Sequence, residues 1–268
     1  MGDCGKAARE WKSLPGNRKV ESVREERNKW HFMQRNIIIA EQIVQFYDTI
    51  SQEPLSLPAG VKLLNPFCGE QKDLVKKAVT IFYQKYYKDT KPRRLIVGST
   101  PARRGSAVTG VPFADAAHLY EETGVRIENF QVNRASSDFL YEVITKYGGC
   151  EKFYGDFYMS FVCPFGLVKT NAKGKEVNCN YYENEALQKA LSPFIVHALQ
   201  QQLAFGLDTS VCYCIGSGEN YRFLQKMNDE HKFFKALIPL EHPRYIMQYH
   251  SKQKKDYLEK YIKYFTKV

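Results

Sequence analysis

Hydrophobic residues in this chain form short continuous runs, and between the runs they recur every three or four positions. Short apolar runs bounded by Gly, Pro or polar residues are typical of buried strands. Four such runs occur, at residues 93–97, 157–162, 211–215 and 236–240. Strands that alternate with amphipathic helices predict an α/β fold. We therefore expect a central, mostly parallel four-stranded sheet with helices on both faces, a three-layer α/β/α arrangement.

The segments between the runs carry apolar residues at helical spacing. Helices are predicted at residues 37–47, 72–87, 114–123 and 187–203, around 139–144, from residue 219 onward, and at 252–265. Ser136, Ser137 or Asp138 is the expected cap of the helix around residues 139–144, which should stop at the Gly148–Gly149 pair. Residues 55–66 are predicted to be irregular and residues 169–180 to be a polar loop.

The first 30 residues are polar and charged, with little apolar periodicity. Such a composition predicts a disordered N-terminal extension. The rest of the chain, residues 31–268, shows no internal repeat and is expected to form a single domain.

Charge and cysteine usage narrow the function classes. The formal net charge of +10 favours an anionic partner, nucleic acid first, although a merely solvated Lys-rich surface gives the same value. The seven cysteines include no Cys-x-x-Cys pair, so neither a zinc ribbon nor an iron–sulfur cluster is expected, and no cofactor is implied. Cys212 and Cys214 would share one face of a strand and pack there. No signal peptide or membrane-spanning run is found, so we expect a cytoplasmic protein with no membrane partner.

The stretch from Gly98 to Phe113 is the strongest candidate for a ligand loop. It follows a buried strand and is rich in Gly, Pro and hydroxyl residues. In a parallel sheet, loops at the carboxyl ends of the strands meet at one edge, where ligands bind. That edge would bring together side chains from all four strand ends: Ser99, Thr100, Phe113, Phe161, Ser217 and His242.

Two readings stay open for each polar feature of this edge. His242 could act as an acid, a base or an oxyanion donor, or could be a structural histidine bonded to backbone. The Gly216–Ser217–Gly218 turn could cradle a phosphate or be only a tight strand-to-helix turn. The pair Arg103–Arg104 could clamp phosphates or belong to a solvated loop.

Three segments, in matching order, resemble the motifs of one enzyme family. Gly98-Ser-Thr-Pro followed by Thr109-Gly-Val-Pro-Phe113 resembles the first motif of single-strand-selective monofunctional uracil-DNA glycosylases. Tyr158-Met-Ser-Phe-Val-Cys-Pro-Phe165 is similar to their central segment, and Glu241-His-Pro-Arg-Tyr-Ile-Met-Gln-Tyr249 to their second motif. The His-Pro-Arg-Tyr-Ile-Met-Gln-Tyr form of this last segment, together with Ser136–Ser137 and Cys163–Pro164, resembles the family's second, bacterial branch more closely still. Three ordered motifs are more specific than any one alone.

The resemblance implies a uracil-DNA-glycosylase fold and a role in base-excision repair, in which a damaged base is flipped out of DNA and its glycosidic bond hydrolysed. Phe113 would stack on the flipped base, with Ser99 and Phe161 lining the base site. His242 would donate to the base O2, and the loop after it, with Arg244 and Tyr245, would wedge into the DNA. Arg103, Arg104, Ser217 and Gly218 would hold phosphates.

Two positions depart from the family pattern. Thr100 stands where the family has the Asn that positions the attacking water, and Phe161 stands where another Asn reads the base edge. Phe has no hydrogen-bonding group. We therefore expect weakened or altered glycosylase activity on a deaminated base (uracil, hypoxanthine or xanthine) in single- or double-stranded DNA. The alternative is a catalytically impaired relative that binds lesions or single strands. A monomer, associated with the bacterial nucleoid when bound to DNA, is expected.

Overall fold

A computed structural model describes residues 37–127 and 134–267 of the chain. The predicted N-terminal extension lies outside these residues. At the centre is a four-stranded sheet whose strands are all parallel, in the order β3–β2–β6–β7. Its strands are β2 (Arg94–Gly98), β3 (Phe157–Phe161), β6 (Asp208–Ile215) and β7 (Ala236–Leu240). The four-stranded parallel sheet predicted from the apolar runs is therefore confirmed.

Each face of this sheet is covered by helices, which explains why each of its strands contains a run of apolar residues. On one face Tyr158 of β3 packs against Tyr83, with ring centroids 6.4 Å apart. On the other, Phe265 contacts Phe157 of β3 at 4.7 Å and Tyr213 of β6 at 5.0 Å. Because Phe157 and Tyr158 are adjacent, they point to opposite faces. The structure thus has the expected three layers.

Ten α-helices lie in the described residues. They are α1 (Ile39–Ile50), α2 (Lys72–Tyr86), α3 (Ser106–Thr109), α4 (Ala116–Thr123), α5 (Ala135–Tyr147), α6 (Cys150–Asp156), α7 (Glu185–Leu203), α8 (Glu219–His231), α9 (Pro243–Tyr249) and α10 (Lys254–Thr266), with a 3₁₀ turn at Ser251–Gln253. Three were not predicted, namely α3, α6 and α9, which are all seven residues or shorter. Helices of this length contain too few turns to show an apolar period.

A second sheet was missed entirely. Strands β1 (Val61–Leu64), β4 (Gly166–Thr170) and β5 (Glu176–Cys179) form an antiparallel sheet in the order β1–β4–β5. The predictions of an irregular segment at residues 55–66 and of a polar loop at 169–180 are therefore wrong. These strands are only four or five residues long and mix buried or half-buried with exposed positions, so they lack the longer apolar runs that revealed the central sheet.

Two local predictions also need correction. Helix α5 begins after Arg134, with no side-chain cap, and the Ser137 hydroxyl instead donates to Asp115 inside the protein. The segment after His242 is not a loop, because Pro243 opens helix α9 there. Proline is favoured at the first helical position, where its missing N–H costs no hydrogen bond.

None of the helices in the described part of the chain is long and apolar enough to cross a membrane.

Candidate active site

The carboxyl ends of the central strands are tied together in the way the sequence predicted. The Val162 N–H donates to the Gly98 carbonyl at 2.8 Å, which joins the ends of β3 and β2. The Gly216 N–H donates to the Leu240 carbonyl, also at 2.8 Å, which joins β6 and β7. Since β6 lies between β2 and β7, the loops after Gly98 and Leu240 begin about 10 Å apart, two strand spacings.

Phe113 and Phe161 lie together over Gly98. Their ring centroids are 4.9 Å apart, with 30° between the planes. A Cβ atom on Gly98 would lie 2.6 Å from Phe113 Cζ and 2.9 Å from Phe161 Cδ1, so only glycine fits below the rings. A base sandwiched between two rings needs about 7 Å, twice the stacking distance of ~3.4 Å. Phe161 therefore occupies one face of Phe113, and a flipped base would have to stack on the other.

The backbone of Phe113 is held in an unusual conformation. Its φ of +61° lies in the left-handed region, which is rare for a bulky residue and is concentrated at functional sites. The Phe113 N–H donates to the buried Ser106 hydroxyl at 2.8 Å. Gly110, at φ +73°, packs so closely on Val75 and Val79 that a Cβ would lie 2.9 Å from each. These contacts keep the half-buried Phe113 ring in one position.

His242 lies where β7 ends and caps helix α9. The Arg244 N–H donates to His242 Nδ1 at 3.1 Å. A ring nitrogen that accepts a hydrogen bond carries no proton, so in the neutral ring the proton lies on Nε2. Burial, with a smaller effect from the Arg244 charge, lowers the pKa of His242 to about 4. At pH 7 the ring is therefore a neutral Nε2–H donor, and no described residue accepts from it.

Ser99 and Thr100 both contact Asn180, a residue that was not predicted from the sequence to belong to the site. Both hydroxyls donate to Asn180 Oδ1, Ser99 at 3.2 Å and Thr100 at 3.0 Å. Asn180 follows β5, in the segment that was predicted to be a loop. A lone Asn after a polar stretch gives no signal by itself, and only the unrecognised β4–β5 hairpin brings it to the sheet edge.

Asp115 is committed to structural hydrogen bonds. Its side chain accepts from the backbone N–H groups of Ala117 and His118, from the His118 ring at 2.8 Å and from the Ser137 hydroxyl. Asp138 completes a group of three with ligand atoms within 4.8 Å of one another. However, Asp115 and His118 are bonded to each other and Asp138 to Arg134 at 3.3 Å. These contacts account for the cluster as an Asp–His pair that caps helix α4.

The residues predicted to contact DNA lie at the surface of the same edge. Ion pairs engage Arg93, Arg134 and Arg222. By contrast, none of the described carboxylates pairs with the three arginines that were predicted to contact DNA, namely Arg103, Arg104 and Arg244. The exposed residues are Arg104, Ser217, Gly218, Arg244 and Tyr245, while Arg103 is half-buried and its backbone N–H donates to Asn178. These arginines are free to bind phosphates.

Tyr245 lies on the first turn of α9 and is 46 % exposed. Its hydroxyl is 2.8 Å from His250 Nε2, and its ring is 5.8 Å from that of Tyr249, itself 67 % exposed. An aromatic surface therefore follows His242, on a rigid helix and not on a mobile loop.

The chain is similar to known proteins in both sequence and fold. The sequence profile of the Uracil DNA glycosylase superfamily matches residues 84–266. Among solved structures, the crystal structure of wild-type Pedobacter heparinus SMUG2 is similar, with a TM-score of 0.80 and 41% sequence identity over 85% of this chain and 97% of that chain. No curated protein sequence matches the chain.

Proposed function

Because the chain belongs to the uracil-DNA glycosylase superfamily, in the branch of SMUG2, we propose that it is a monofunctional DNA glycosylase that removes a deaminated base from DNA. The resemblance inferred from the three sequence motifs is confirmed by this membership. The fold inferred from them, a uracil-DNA-glycosylase-like α/β structure, is confirmed as well. Thr100 and Phe113, both from the first motif after β2, lie at the same edge of that fold as His242, which follows β7.

The state of His242 is the observation that supports a catalytic function most strongly. When the glycosidic bond breaks, the electron pair of the bond leaves with the base, and negative charge develops on its oxygen. A fixed Nε2–H donor with no protein acceptor can stabilise that charge without first losing water or a proton. A neutral imidazole with its proton on Nε2 is what the Arg244 N–H bond and the lowered pKa produce.

We propose uracil, hypoxanthine and xanthine as the candidate bases. Each carries a carbonyl oxygen that could accept from His242 and a flat ring that could stack on Phe113. Phe161 offers no donor or acceptor to the base edge, so selection among the three bases depends on shape and on the remaining polar groups. We expect a lower rate than an enzyme with asparagine at positions 100 and 161.

Stacking on Phe113 gives the first prediction. Phe113→Ala should weaken the preference for lesion DNA over undamaged DNA by about 1–3 kcal/mol, the usual contribution of one base–aromatic stack. Phe113→Tyr keeps the ring and should retain the preference. Affinities of all three proteins for matched oligonucleotides with and without the lesion test this. An unchanged preference in Phe113→Ala would remove the ring from the base site.

Binding to phosphates gives the second prediction. Affinity should fall steeply with salt, and Arg104→Ala or Arg244→Ala should each reduce the slope of log K against log salt by about 1. The matched control is Lys91→Ala, since Lys91 pairs with Asp156 at 3.0 Å beside the opposite edge of the sheet and should leave the slope unchanged. Titrations from low to moderate salt measure the slopes. A flat response in the unmodified protein would exclude DNA as the partner.

The activity itself is tested with oligonucleotides that carry each of the three bases, single- and double-stranded. Alkali cleaves the abasic sites that a glycosylase leaves, so strand scission after alkali reports activity. A second candidate function is favoured by Thr100 and Phe161, which replace both family asparagines: a relative that binds lesions or single strands without cleaving them. Lesion-selective binding with no alkali-labile product from any substrate would support that candidate.

A further inference from the structure

Asn180 is held against the first motif from outside the central sheet. Its backbone N–H donates to Glu183 Oε1 at 3.0 Å, and its side chain is half-buried beside the loop that follows β2. Two residues earlier, on strand β5, the Asn178 side chain accepts from the Arg103 N–H at 3.1 Å. Strand β5 and the residue directly after it therefore contact the Gly98 loop at two points, which fixes the position of the Asn180 side chain.

The hydrogen bonds of Asn180 determine what the two hydroxyls can do. An amide oxygen has two lone pairs, and here Ser99 and Thr100 donate to both. A hydroxyl has a single proton, so each of these hydroxyls donates its only proton to the hydrogen bond with Asn180. The lone pairs of Thr100 Oγ1 are left to accept. Toward any further partner, the Ser99 and Thr100 hydroxyls can therefore only accept hydrogen bonds.

The attacking water needs such an acceptor. In the hydrolysis, a lone pair of the water forms the new C1′–O bond while the C1′–N bond breaks and its electron pair leaves with the base. A water that donates one proton to a fixed oxygen turns a lone pair toward C1′. Once the C1′–O bond has formed, the added water loses one of its protons to bulk solvent, and the departing base anion takes a proton from solvent. The products are an abasic sugar hydroxyl and the neutral base.

On the basis of the proposed glycosylase function, we propose that Asn180 is a positioning residue that holds Thr100 Oγ1 as the acceptor for the attacking water. The amide missing from position 100 is thereby supplied from the end of β5. Thr100 touches the water, and Asn180 acts through Thr100. Ser99 adds a second hydroxyl to the same amide oxygen.

Three variants test this assignment under single-turnover conditions with saturating enzyme. Asn180→Ala should slow base release about 10²-fold, because small errors in the position of a reacting group have effects of this size. Thr100→Val should slow it similarly, and the double variant should be no slower than either single variant, since both remove the same water contact. Asn180→Asp keeps an acceptor for both hydroxyls and should restore most of the rate. Lys175→Ala, in the exposed turn of the same hairpin, is the matched control.

The outcomes separate this inference from the proposed function. If the unmodified protein releases a base and Asn180→Ala releases it equally fast, or if Asn180→Asp is as slow as Asn180→Ala, the positioning role is wrong while the glycosylase function stands. If Asn180→Ala is slow only because it binds substrate weakly, saturation will restore its rate and again overturn the role. If the unmodified protein releases no base, the proposed function and this inference fail together.

Discussion

Replacement of His242 by alanine is expected to slow base release about 10²–10³-fold, the usual cost of one oxyanion donor in a preorganised site. The loss should appear in the chemical step, because the donor acts on charge that develops only as the glycosidic bond breaks. Single-turnover rates of the unmodified protein and His242→Ala measure it. His197→Ala is the control, since His197 lies on α7 beside Glu53 and takes no part in the edge of the sheet. Equal rates for His242→Ala and the unmodified protein would contradict the assignment.

The lowered pKa of His242 allows a second, independent test of the same residue, through the pH dependence of stability and of the rate. A histidine in an unfolded chain has a pKa near 6.5, whereas that of His242 is about 4. Between these values the unfolded chain binds the extra proton, so His242 lowers stability as the pH falls from 6.5 through 4. Protonation would also break the bond from the Arg244 N–H. We expect the His242-dependent part of the rate to persist to about pH 5, and a transition near pH 6.5 would contradict a neutral, half-buried donor.

Replacement of Asp115 by alanine is expected to destabilise the fold by about 3–5 kcal/mol, because it removes a helix N-cap, worth about 1 kcal/mol, and hydrogen bonds to a buried carboxylate, worth about 1.5–3 kcal/mol each. Asp115 is 2 % exposed and accepts from four donors, so the change leaves His118 Nδ1 without its acceptor and leaves the Ser137 hydroxyl with only the Arg134 carbonyl. It also removes the cap of helix α4. For a domain of this size the melting temperature should fall by about 6–20 °C.

The pH dependence of this stabilisation has a definite sign. Burial raises the pKa of Asp115, but the hydrogen bonds from Ser137 and His118 outweigh burial and leave it below its ordinary value. The contribution of Asp115 is therefore complete above pH 4 and is lost as the pH falls below it. Urea denaturation of the unmodified protein and Asp115→Ala at pH 7 and pH 3 measures the difference. Asp229→Ala, on the exposed face of α8, should change little. A loss below 1 kcal/mol at pH 7 would show that Asp115 is free for another role.

The central sheet could be predicted from sequence because helices cover both of its faces and its strands therefore contain unbroken apolar runs. Val211–Ile215 and Ala236–Leu240 are examples, and the structure pairs them residue by residue. The antiparallel sheet could not be predicted in the same way. Strand β5 has mostly exposed side chains, so its four residues resemble a polar loop. A strand with one buried face shows alternating apolar and polar residues, and four or five residues are too few to reveal that alternation.

The candidate site was predictable where one motif contains the chemistry and unpredictable where the fold brings distant residues together. Phe113 and His242 follow from the motifs and from the sheet edge. The contact of Phe161 with Phe113 depends on the absence of a side chain at Gly98, a three-way packing that no spacing reveals. Asn180 is 80 residues from Thr100 and reaches it through the missed hairpin. The neutral state of His242 likewise depends on helix α9, which was predicted to be a loop.

Release of the free base is the measurement that tests the central proposal most directly. The unmodified protein is incubated with oligonucleotides that carry uracil, hypoxanthine or xanthine, and the free base and the abasic strand are both quantified by mass spectrometry. We predict that at least one substrate yields base and abasic strand in equal amounts, and that His242→Ala yields neither at a comparable rate. Tight, lesion-selective binding with no free base from any of the three would contradict the glycosylase function.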